Sequence, residues 1–366
     1  MQVLRPPPDS LRDALISGCP VLQAQYEDMG RERLLSECFQ PVTVYSPSDW
    51  IPSHPEPAQT FREFYEQRHR CLPSAHKRTI YVQTIATGAH APPNLSSPFG
   101  ESDCGTQTYI RWLRGYCQAF FFGLPVQIQG PVPVSTGCSF RINEYSQNLQ
   151  IHSGDLLRYL KRVKPADALC IVGATMIDLY PRDSWNFVFG TASLTEGLGI
   201  FSFARYDENF YSPDYRGRLT SKQRPPRDYS AFDGYYTPPI TSTLQAYHVS
   251  RVPPPLYPLQ TLTHEIGHMF GLRHCQWLQC VMQGSNHLEE SDRRPAHLCA
   301  VCLRKLQSVL QFNMAERYKA LLRWVEAGED DTELGGASGQ TQSDLPRPAE
   351  AFQDHRKWLQ KCPRIL

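Results

Sequence analysis

Hydrophobic and polar positions over residues 77–206 predict a mixed sheet with interspersed helices. Segments with the β-branched, aromatic and apolar patterns of strands span residues 79–85, 124–134, 168–179, 186–192 and 197–206. Segments with helical spacing of apolar residues span 108–122 and 155–163. The run 168–179 is almost continuously apolar, which is typical of a strand buried on both faces. Because strands and helices are mixed, we predict an α+β, or α/β-like, sheet domain.

Composition divides the rest of the chain. We predict that residues 1–76 form an N-terminal extension and that 77–325 form the main domain. Residues 207–258 are rich in Pro, Tyr, Asp and Arg and are predicted to form a long loop or insertion. The acidic, Gly- and Ser-rich segment 326–348 is a predicted flexible linker, and 349–366 is a predicted C-terminal helix.

Charge and hydropathy exclude some classes of partner. The 37 basic and 36 acidic residues leave a net charge of +1, which does not favour nucleic acid or an anionic membrane. No apolar run reaches the ~20 residues that cross a bilayer, and the N-terminus lacks the pattern of a secretory signal. We therefore expect an intracellular protein, cytoplasmic or nuclear, whose 12 cysteines stay reduced. The sequence leaves the oligomeric state open.

The pattern H-E-x-x-H-x-x-G-x-x-H over residues 264–274 carries the main chemical signal. His264 and His268 are four residues apart, so on a helix they share one face and can bind one metal ion. Gly271 can adopt the left-handed conformation that ends a helix, and the chain can then turn back to bring in His274 as the third ligand. Glu265 lies about 100° further round the helix, within reach of a water on that metal.

Three neutral imidazoles leave a tetrahedral position open for water, which is typical of catalytic zinc. Zinc lowers the pKa of such a water toward ~7, and Glu265 would take its proton. The alternative is a core helix whose histidines only form hydrogen bonds, and the added Gly271 and His274 disfavour it.

Four cysteines follow the third histidine. Cys275 and Cys280 form a C-x4-C pair, Cys299 and Cys302 form a C-x2-C pair, and eighteen residues lie between the two pairs. This spacing predicts a closed, structural zinc site, hence two zinc ions per chain; two disulfides or unpaired thiols are the alternative. Because Cys275 directly follows His274, the two sites would be neighbours, and the second zinc would support the loop that presents the third ligand.

The histidine motif resembles the zinc signature of the metzincins, and Met282 stands where those enzymes place their Met-turn. The cysteine directly after the last histidine, the Cys280-x-Met282 step and the later cysteine pair resemble the archaemetzincin family. The resemblance covers most of the chain and implies a metzincin-type catalytic domain over 77–325, with a two-zinc segment at 264–302. One departure is that Gln283 follows the Met-turn methionine, without the nearby tyrosine of some metzincins.

The resemblance also implies an activity: a zinc metallopeptidase described as aminopeptidase-like that acts on peptides. It implies a catalytic zinc on the three histidines, a structural zinc on the four cysteines, and Glu265 as the general base. A catalytically weak or inactive two-zinc module that binds peptides or proteins stays open, although the intact Glu265 disfavours it. A nucleic-acid finger around the cysteines is disfavoured by the near-zero net charge.

Weaker candidates surround this core. Residues 197–203 form the candidate edge strand for substrate backbone, with an ordinary sheet strand as an equal alternative. Candidates for the cleft lining are Tyr180, Trp185, Asn286, His287 and Arg293. Candidates for the carboxylate that an aminopeptidase needs near the substrate amine are Asp178, Glu196 and Glu289.

Overall fold

The computed structural model describes residues 2–4, 38–68, 70–86, 104–134, 137–207, 209–213, 215, 257–326 and 352–362. The predicted loop 207–258 and the predicted linker 326–348 lie almost wholly outside these residues.

Ten strands and nine helices are defined in this part of the chain. The strands are β1 (Gln2–Leu4), β2 (Val42–Val44), β3 (Thr79–Ala86), β4 (Val126–Pro133), β5 (Phe140–Ile142), β6 (Leu149–His152), β7 (Ala168–Thr175), β8 (Asp178–Tyr180), β9 (Gly190–Ser193) and β10 (Leu198–Ser202). The helices are α1 (Trp50–Ser53), α2 (Phe61–Tyr65), α3 (Cys104–Phe120), α4 (Ser153–Val163), α5 (Tyr257–Met269), α6 (Leu288–Asp292), α7 (Ala300–Leu310), α8 (Met314–Glu326) and α9 (Gln353–Lys361).

The main sheet has five strands in the order β4-β3-β7-β10-β9. The first four are parallel, and β9 pairs antiparallel with β10 at the edge. All eight residues of β7 are buried, as the apolar run predicted. The predicted edge strand at 197–203 is wrong, because β10 lies between β7 and β9. The short, half-buried β9 forms the edge instead.

The apolar run 168–179 also contains a break that its composition does not reveal. β7 ends at Thr175, and β8 belongs to a second sheet of order β5-β6-β8. Both strands are fully buried, so hydropathy alone does not separate them.

Helices cover both faces of the main sheet. The zinc-motif helix α5 packs against β7, β9 and β10, with α3 beside it, while α4 packs against β7 and β10. Alternate residues of β3 serve the two resulting cores: Ile80 and Val82 lie in the core that includes α3 and α5, and Tyr81 lies in the core that includes α4. The fold is therefore the α+β arrangement of mixed sheets and helices that the sequence predicted. In the described part of the chain, no helix is long and apolar enough to span a membrane.

Residues 38–68, which the sequence assigned to an N-terminal extension, contact helix α7 and the segment that carries the histidine and cysteine motifs. The Val42 N–H donates to the Trp277 carbonyl at 3.1 Å, and the buried Lys305 ammonium donates to the Gln59 side chain at 3.0 Å. The Gln59 amide in turn donates to the Gly271 carbonyl at 3.0 Å. The segment thus helps to form the surroundings of the histidine motif, while the domain boundaries stay predictions.

Candidate active site

Helix α5 ends where the histidine motif requires. The Gly271 N–H donates to the His268 carbonyl at 2.8 Å, and Gly271 has φ of +92°, a conformation that side chains disfavour. The chain then turns back, and His274 reaches the side of the helix that carries His264 and His268. The local conformation is the one that the glycine predicted.

The three imidazoles converge on one point. One nitrogen from each ring lies within 4.8 Å of the others, and the Nε2 atoms of His264 and His268 are 2.9 Å apart. The structure therefore brings together the three ligands that the sequence predicted for the catalytic metal.

The opposite ring nitrogens determine which tautomer is present. Each Nδ1 faces an oxygen acceptor: 2.8 Å for His264 to the Val281 carbonyl, 2.7 Å for His268 to the Leu272 carbonyl, and 3.0 Å for His274 to Glu56 Oε1. Because these oxygens accept hydrogen bonds, each Nδ1 carries the proton and each Nε2 presents a lone pair to its neighbours. Burial also lowers the pKa of His268 to about 3, which keeps that ring neutral.

Two lone pairs at 2.9 Å repel each other unless a cation lies between them. The donor set is three neutral imidazoles with fixed orientation, and it matches the open coordination of catalytic zinc. The residues present therefore fit a zinc ion.

Glu265 lies beside this cluster on the same helix. Its side chain is buried, lines the cleft, and has one oxygen, Oε2, with no hydrogen-bond partner among the described residues. Burial raises the pKa of this carboxyl to about 8, against the opposing effect of the Arg294 guanidinium. A pKa close to neutral suits a group that both accepts and returns a proton, and the unused oxygen next to the imidazoles places Glu265 to take one from a water held there.

Gly190, the first residue of the edge strand β9, leaves room for this carboxylate. A Cβ built on Gly190 would lie 2.6 Å from Glu265 Cδ, closer than carbon atoms approach. Strand β9 and Glu265 can therefore lie in contact because residue 190 has no side chain.

We expect Gly190→Ala to lower kcat/KM about 100-fold, because the new methyl group displaces the Glu265 carboxylate by a large fraction of an ångström or more. Zinc content should stay unchanged, since other elements hold the three imidazoles. Kinetics and elemental analysis by mass spectrometry check both points. Gly130→Ala is the matched control, because a Cβ there meets no atom within 4 Å. Full activity in Gly190→Ala would contradict the position assigned to Glu265.

Met282 lies against the zinc-motif helix. A Cβ on Gly267 would lie 2.5 Å from Met282 Sδ. The Met282 side chain therefore lies close against the helix backbone between His264 and His268. The neighbouring Val281 carbonyl accepts the His264 Nδ1–H, and the Met282 carbonyl accepts the Cys275 N–H at 2.8 Å. The turn at Met282 therefore contacts the helix and also the first residue of the cysteine motif.

The four cysteines of the second motif meet in the interior. Their sulfurs lie within 4.8 Å of one another, and all four residues are buried. Cys275 Sγ and Cys299 Sγ are 3.6 Å apart, well beyond the ~2.05 Å of a disulfide bond. Backbone N–H groups point at the sulfurs: Met282 donates to Cys280 Sγ at 3.4 Å, and Cys302 donates to Cys299 Sγ at 3.5 Å. This is a donor set that fits a second zinc ion.

A cleft of about 830 Å³ opens over the imidazoles. One wall is the edge strand β9, and another is the loop 181–189. Arg141 of β5 holds that loop through hydrogen bonds to the carbonyls of Asp183 at 2.9 Å and Asn186 at 3.0 Å. The second sheet therefore fixes the loop that carries Trp185 into the cleft.

The weaker candidates divide into those that line the cleft and those that do not. Trp185 and Asn286 line it. Outside its lining, His287 and Arg293 bind Asp49, and Tyr180 packs against Arg141. The three carboxylates proposed as amine anchors lie elsewhere: Asp178 pairs with the buried Arg205, Glu196 pairs with the exposed Lys161, and Glu289 is exposed on α6.

Sequence reasoning missed Trp50, His54 and Glu56, which form the wall beside His274. Glu56 Oε1 accepts hydrogen bonds from His274 Nδ1 at 3.0 Å and from Trp50 Nε1 at 2.9 Å. These bonds outweigh the effect of burial and lower the pKa of Glu56. No local sequence pattern identifies Glu56 as part of the site, because it lies 218 positions from the histidine that it orients.

A zinc-fitting cluster of three imidazoles, a buried glutamate on the same helix and a methionine beneath it define a site of the metzincin type. Residues 247–308 match the family model described as Peptidase family M54. Archaemetzincin-2 of Mus musculus is 52% identical over 380 residues, covering 100% of this chain and 99% of the relative. Archaemetzincin-1 of Homo sapiens is 33% identical, covering 87% of this chain and 62% of the relative.

The chain belongs to the archaemetzincin family of zinc metallopeptidases. Among solved structures, archaemetzincin from Methanopyrus kandleri is 20% identical, covers 66% of this chain and 99% of its own, and superposes with a TM-score of 0.40.

Proposed function

We propose that this protein is a zinc aminopeptidase that removes residues from the amino terminus of peptides. The observation that carries the proposal is the geometry of one cleft: three imidazole lone pairs converge beside the buried Glu265 carboxylate. Membership of a family of zinc metallopeptidases indicates the class of reaction. The residues that line the cleft indicate which side chains would take part in it.

In this proposal His264, His268 and His274 hold the catalytic zinc, with their Nδ1 acceptors fixing the rings. Zinc bound there would supply Lewis-acid polarisation of a carbonyl and would make a bound water more acidic. Glu265 would act as the general base for the attacking water and return the proton to the departing amine. Because Gly190 has no side chain, the Glu265 carboxylate has room at this position.

The edge strand β9 is the proposed partner of the substrate backbone. It lines the cleft, and among the described strands it forms ladder hydrogen bonds only with β10, so its other edge has no strand partner there. An extended peptide can add to such an edge as a further strand.

The aminopeptidase character is supported by the wall beside His274. The rings of Trp50 and His54 stack at 4.1 Å, and the Trp185 ring lies 5.5 Å from His54. Three aromatic rings line this end of the cleft. We infer that such a wall favours a chain terminus over a continuing chain.

Cys275, Cys280, Cys299 and Cys302 are the proposed ligands of a second, structural zinc, giving two zinc ions per chain. Four buried cysteines that form no disulfide suit a reducing, intracellular compartment. Their proposed role is to hold the turn at Met282 and the residue after His274.

Metal analysis combined with a peptide panel tests the proposal. We expect two zinc ions per chain, and stepwise loss of amino-terminal residues from peptides with a free amine but not from their N-acetylated forms. Removing zinc with 1,10-phenanthroline should stop cleavage, and added zinc should restore it, because Glu265 alone cannot activate water sufficiently.

Product masses and metal content separate the outcomes. Internal fragments in place of stepwise products would contradict the aminopeptidase assignment. Two zinc ions with no cleavage of any peptide would favour a peptide-binding module. Fewer than one zinc per chain would contradict the proposed function as a whole.

A further inference from the structure

We propose that Glu56 anchors the positively charged α-amino group of the substrate. This inference rests on the proposed aminopeptidase function and assigns the residue that recognises the peptide's amino terminus. The sequence offered other carboxylates for this task, and none of them lines the cleft.

The carboxylates of the cleft select Glu56. Among the described residues that line it, only Glu56 and Glu265 carry a carboxylate. Glu265 is buried behind the edge strand and faces the imidazoles, where a proton must be moved. The Glu56 side chain is 32% exposed, so a ligand in the cleft can reach it.

The hydrogen bonds of Glu56 leave room for a further donor. Oε1 accepts from Trp50 Nε1 at 2.9 Å and from His274 Nδ1 at 3.0 Å, while Oε2 meets only the same Nδ1, at 3.1 Å. A carboxylate offers about four acceptor sites, so Oε2 keeps capacity for an ammonium group.

The charge of Glu56 also lacks a full counter-charge. Within the described part of the chain, its ion-pair partner is His274. An imidazole that donates from Nδ1 and binds a metal through Nε2 is neutral, so it orients the carboxylate without neutralising it. A substrate ammonium would supply the missing positive charge.

Aromatic rings surround the same position. The Trp50 ring stacks on His54 at 4.1 Å and lies 6.4 Å from the Trp185 ring. Trp50 presents its Nε1–H edge to Glu56, and His54 covers one face of its ring. The rings therefore orient Glu56 and line its position, and the carboxylate supplies the attraction for a cation.

The distance from the imidazole cluster suits a chain terminus. Glu56 binds one edge of the His274 ring, and the opposite edge carries the Nε2 that faces the other two histidines. One hydrogen bond of 3.0 Å and one imidazole ring therefore separate the carboxylate from the reaction centre. The first residue of a peptide offers a similar path, because its ammonium makes a hydrogen bond of its own and two covalent bonds of about 1.5 Å each join that nitrogen to the scissile carbonyl carbon. An amine held at Glu56 thus places the first peptide bond at the imidazoles.

Glu56→Gln tests the inference, because a glutamine carbonyl can still accept the hydrogen bonds of Trp50 and His274 while the charge is lost. The matched control is Glu66→Gln, an exposed carboxylate that pairs with Arg62 and does not line the cleft. The probes are L-leucine hydroxamate and N-acetyl-L-leucine hydroxamate, and their dissociation constants are measured by calorimetry on the zinc-loaded proteins.

We expect wild type to bind the free-amine probe at least about tenfold more tightly than the acetylated probe. Glu56→Gln should bring that ratio close to one with unchanged zinc content, and Glu66→Gln should keep the wild-type ratio. If Glu56→Gln weakens both probes equally, Glu56 acts only by orienting His274 and the inference is overturned. A wild-type ratio of one overturns it directly.

A second pair of probes identifies the source of the cation. If wild type prefers N-acetyl-L-lysine hydroxamate to its norleucine analogue and Glu56→Gln removes that preference, the site binds a side-chain ammonium and the α-amine assignment is wrong. The binding assay is independent of hydrolysis. A free-amine preference without peptide cleavage therefore contradicts the proposed function and leaves the anchor standing, while cleavage with an unchanged ratio in Glu56→Gln contradicts the anchor alone.

Discussion

Glu265→Gln is expected to lower kcat by about a hundredfold to ten-thousandfold while the protein keeps its zinc. The expected loss is the contribution of a positioned general base, which the glutamine amide cannot replace. Zinc binding should persist because the three imidazole nitrogens converge without Glu265, which lies beside them. Steady-state kinetics and zinc content by mass spectrometry give the two readouts.

The control for this variant is Glu289→Gln, the same change at an exposed position on α6. It should keep both activity and zinc. The melting temperature of Glu265→Gln should be no lower than that of wild type, because the change removes a buried carboxyl whose charge burial disfavours. A variant that retains wild-type kcat would remove Glu265 from the mechanism, and a variant that loses zinc would make it a ligand or a structural residue.

The convergence of the candidate metal ligands could be predicted because their geometry is set locally. Four residues separate His264 from His268, so the helix alone brings them to one face. Gly271 marks the helix end by its backbone freedom, and its φ of +92° confirms that reading. The cysteine spacing is local in the same sense, although the two pairs also need the turn at Met282 to meet.

The wall beside His274 could not be predicted, because long-range packing sets it. Glu56 and Trp50 reach the site only because residues 38–68 pack against the segment around Gly271 and Trp277. The edge strand was misassigned for a related reason. Residues 197–203 have a stronger strand pattern than 190–193, but the position of a strand in the sheet order depends on its partners and not on its own sequence.

The turn between the two metal motifs couples them. His264 donates to the Val281 carbonyl, and the Val281 N–H donates to the His297 carbonyl at 2.8 Å, two residues before Cys299. Cys275 follows His274 directly and donates to the Met282 carbonyl at 2.8 Å. The backbone that the cysteine cluster holds therefore orients the His264 ring and positions the residue next to His274.

Cys302→Ala should consequently affect both metal motifs. We expect loss of at least one zinc per chain, a fall in the free energy of unfolding of at least about 4 kcal/mol, and loss of most peptidase activity. The stability figure is a fraction of the roughly 10–16 kcal/mol that structural zinc contributes in zinc-finger peptides.

Activity should fall because the backbone around Met282 orients His264, and the backbone after His274 loses its anchor when the cysteine cluster opens. Cys117→Ala is the matched control: Cys117 is 0% exposed and Cys302 1%, but among the described residues Cys117 belongs to no cluster of possible metal ligands. The control should keep its zinc and most of its activity. If Cys302→Ala kept two zinc ions and wild-type activity, the cysteines would be ordinary core thiols, and the support of the catalytic imidazoles would have to come from packing alone.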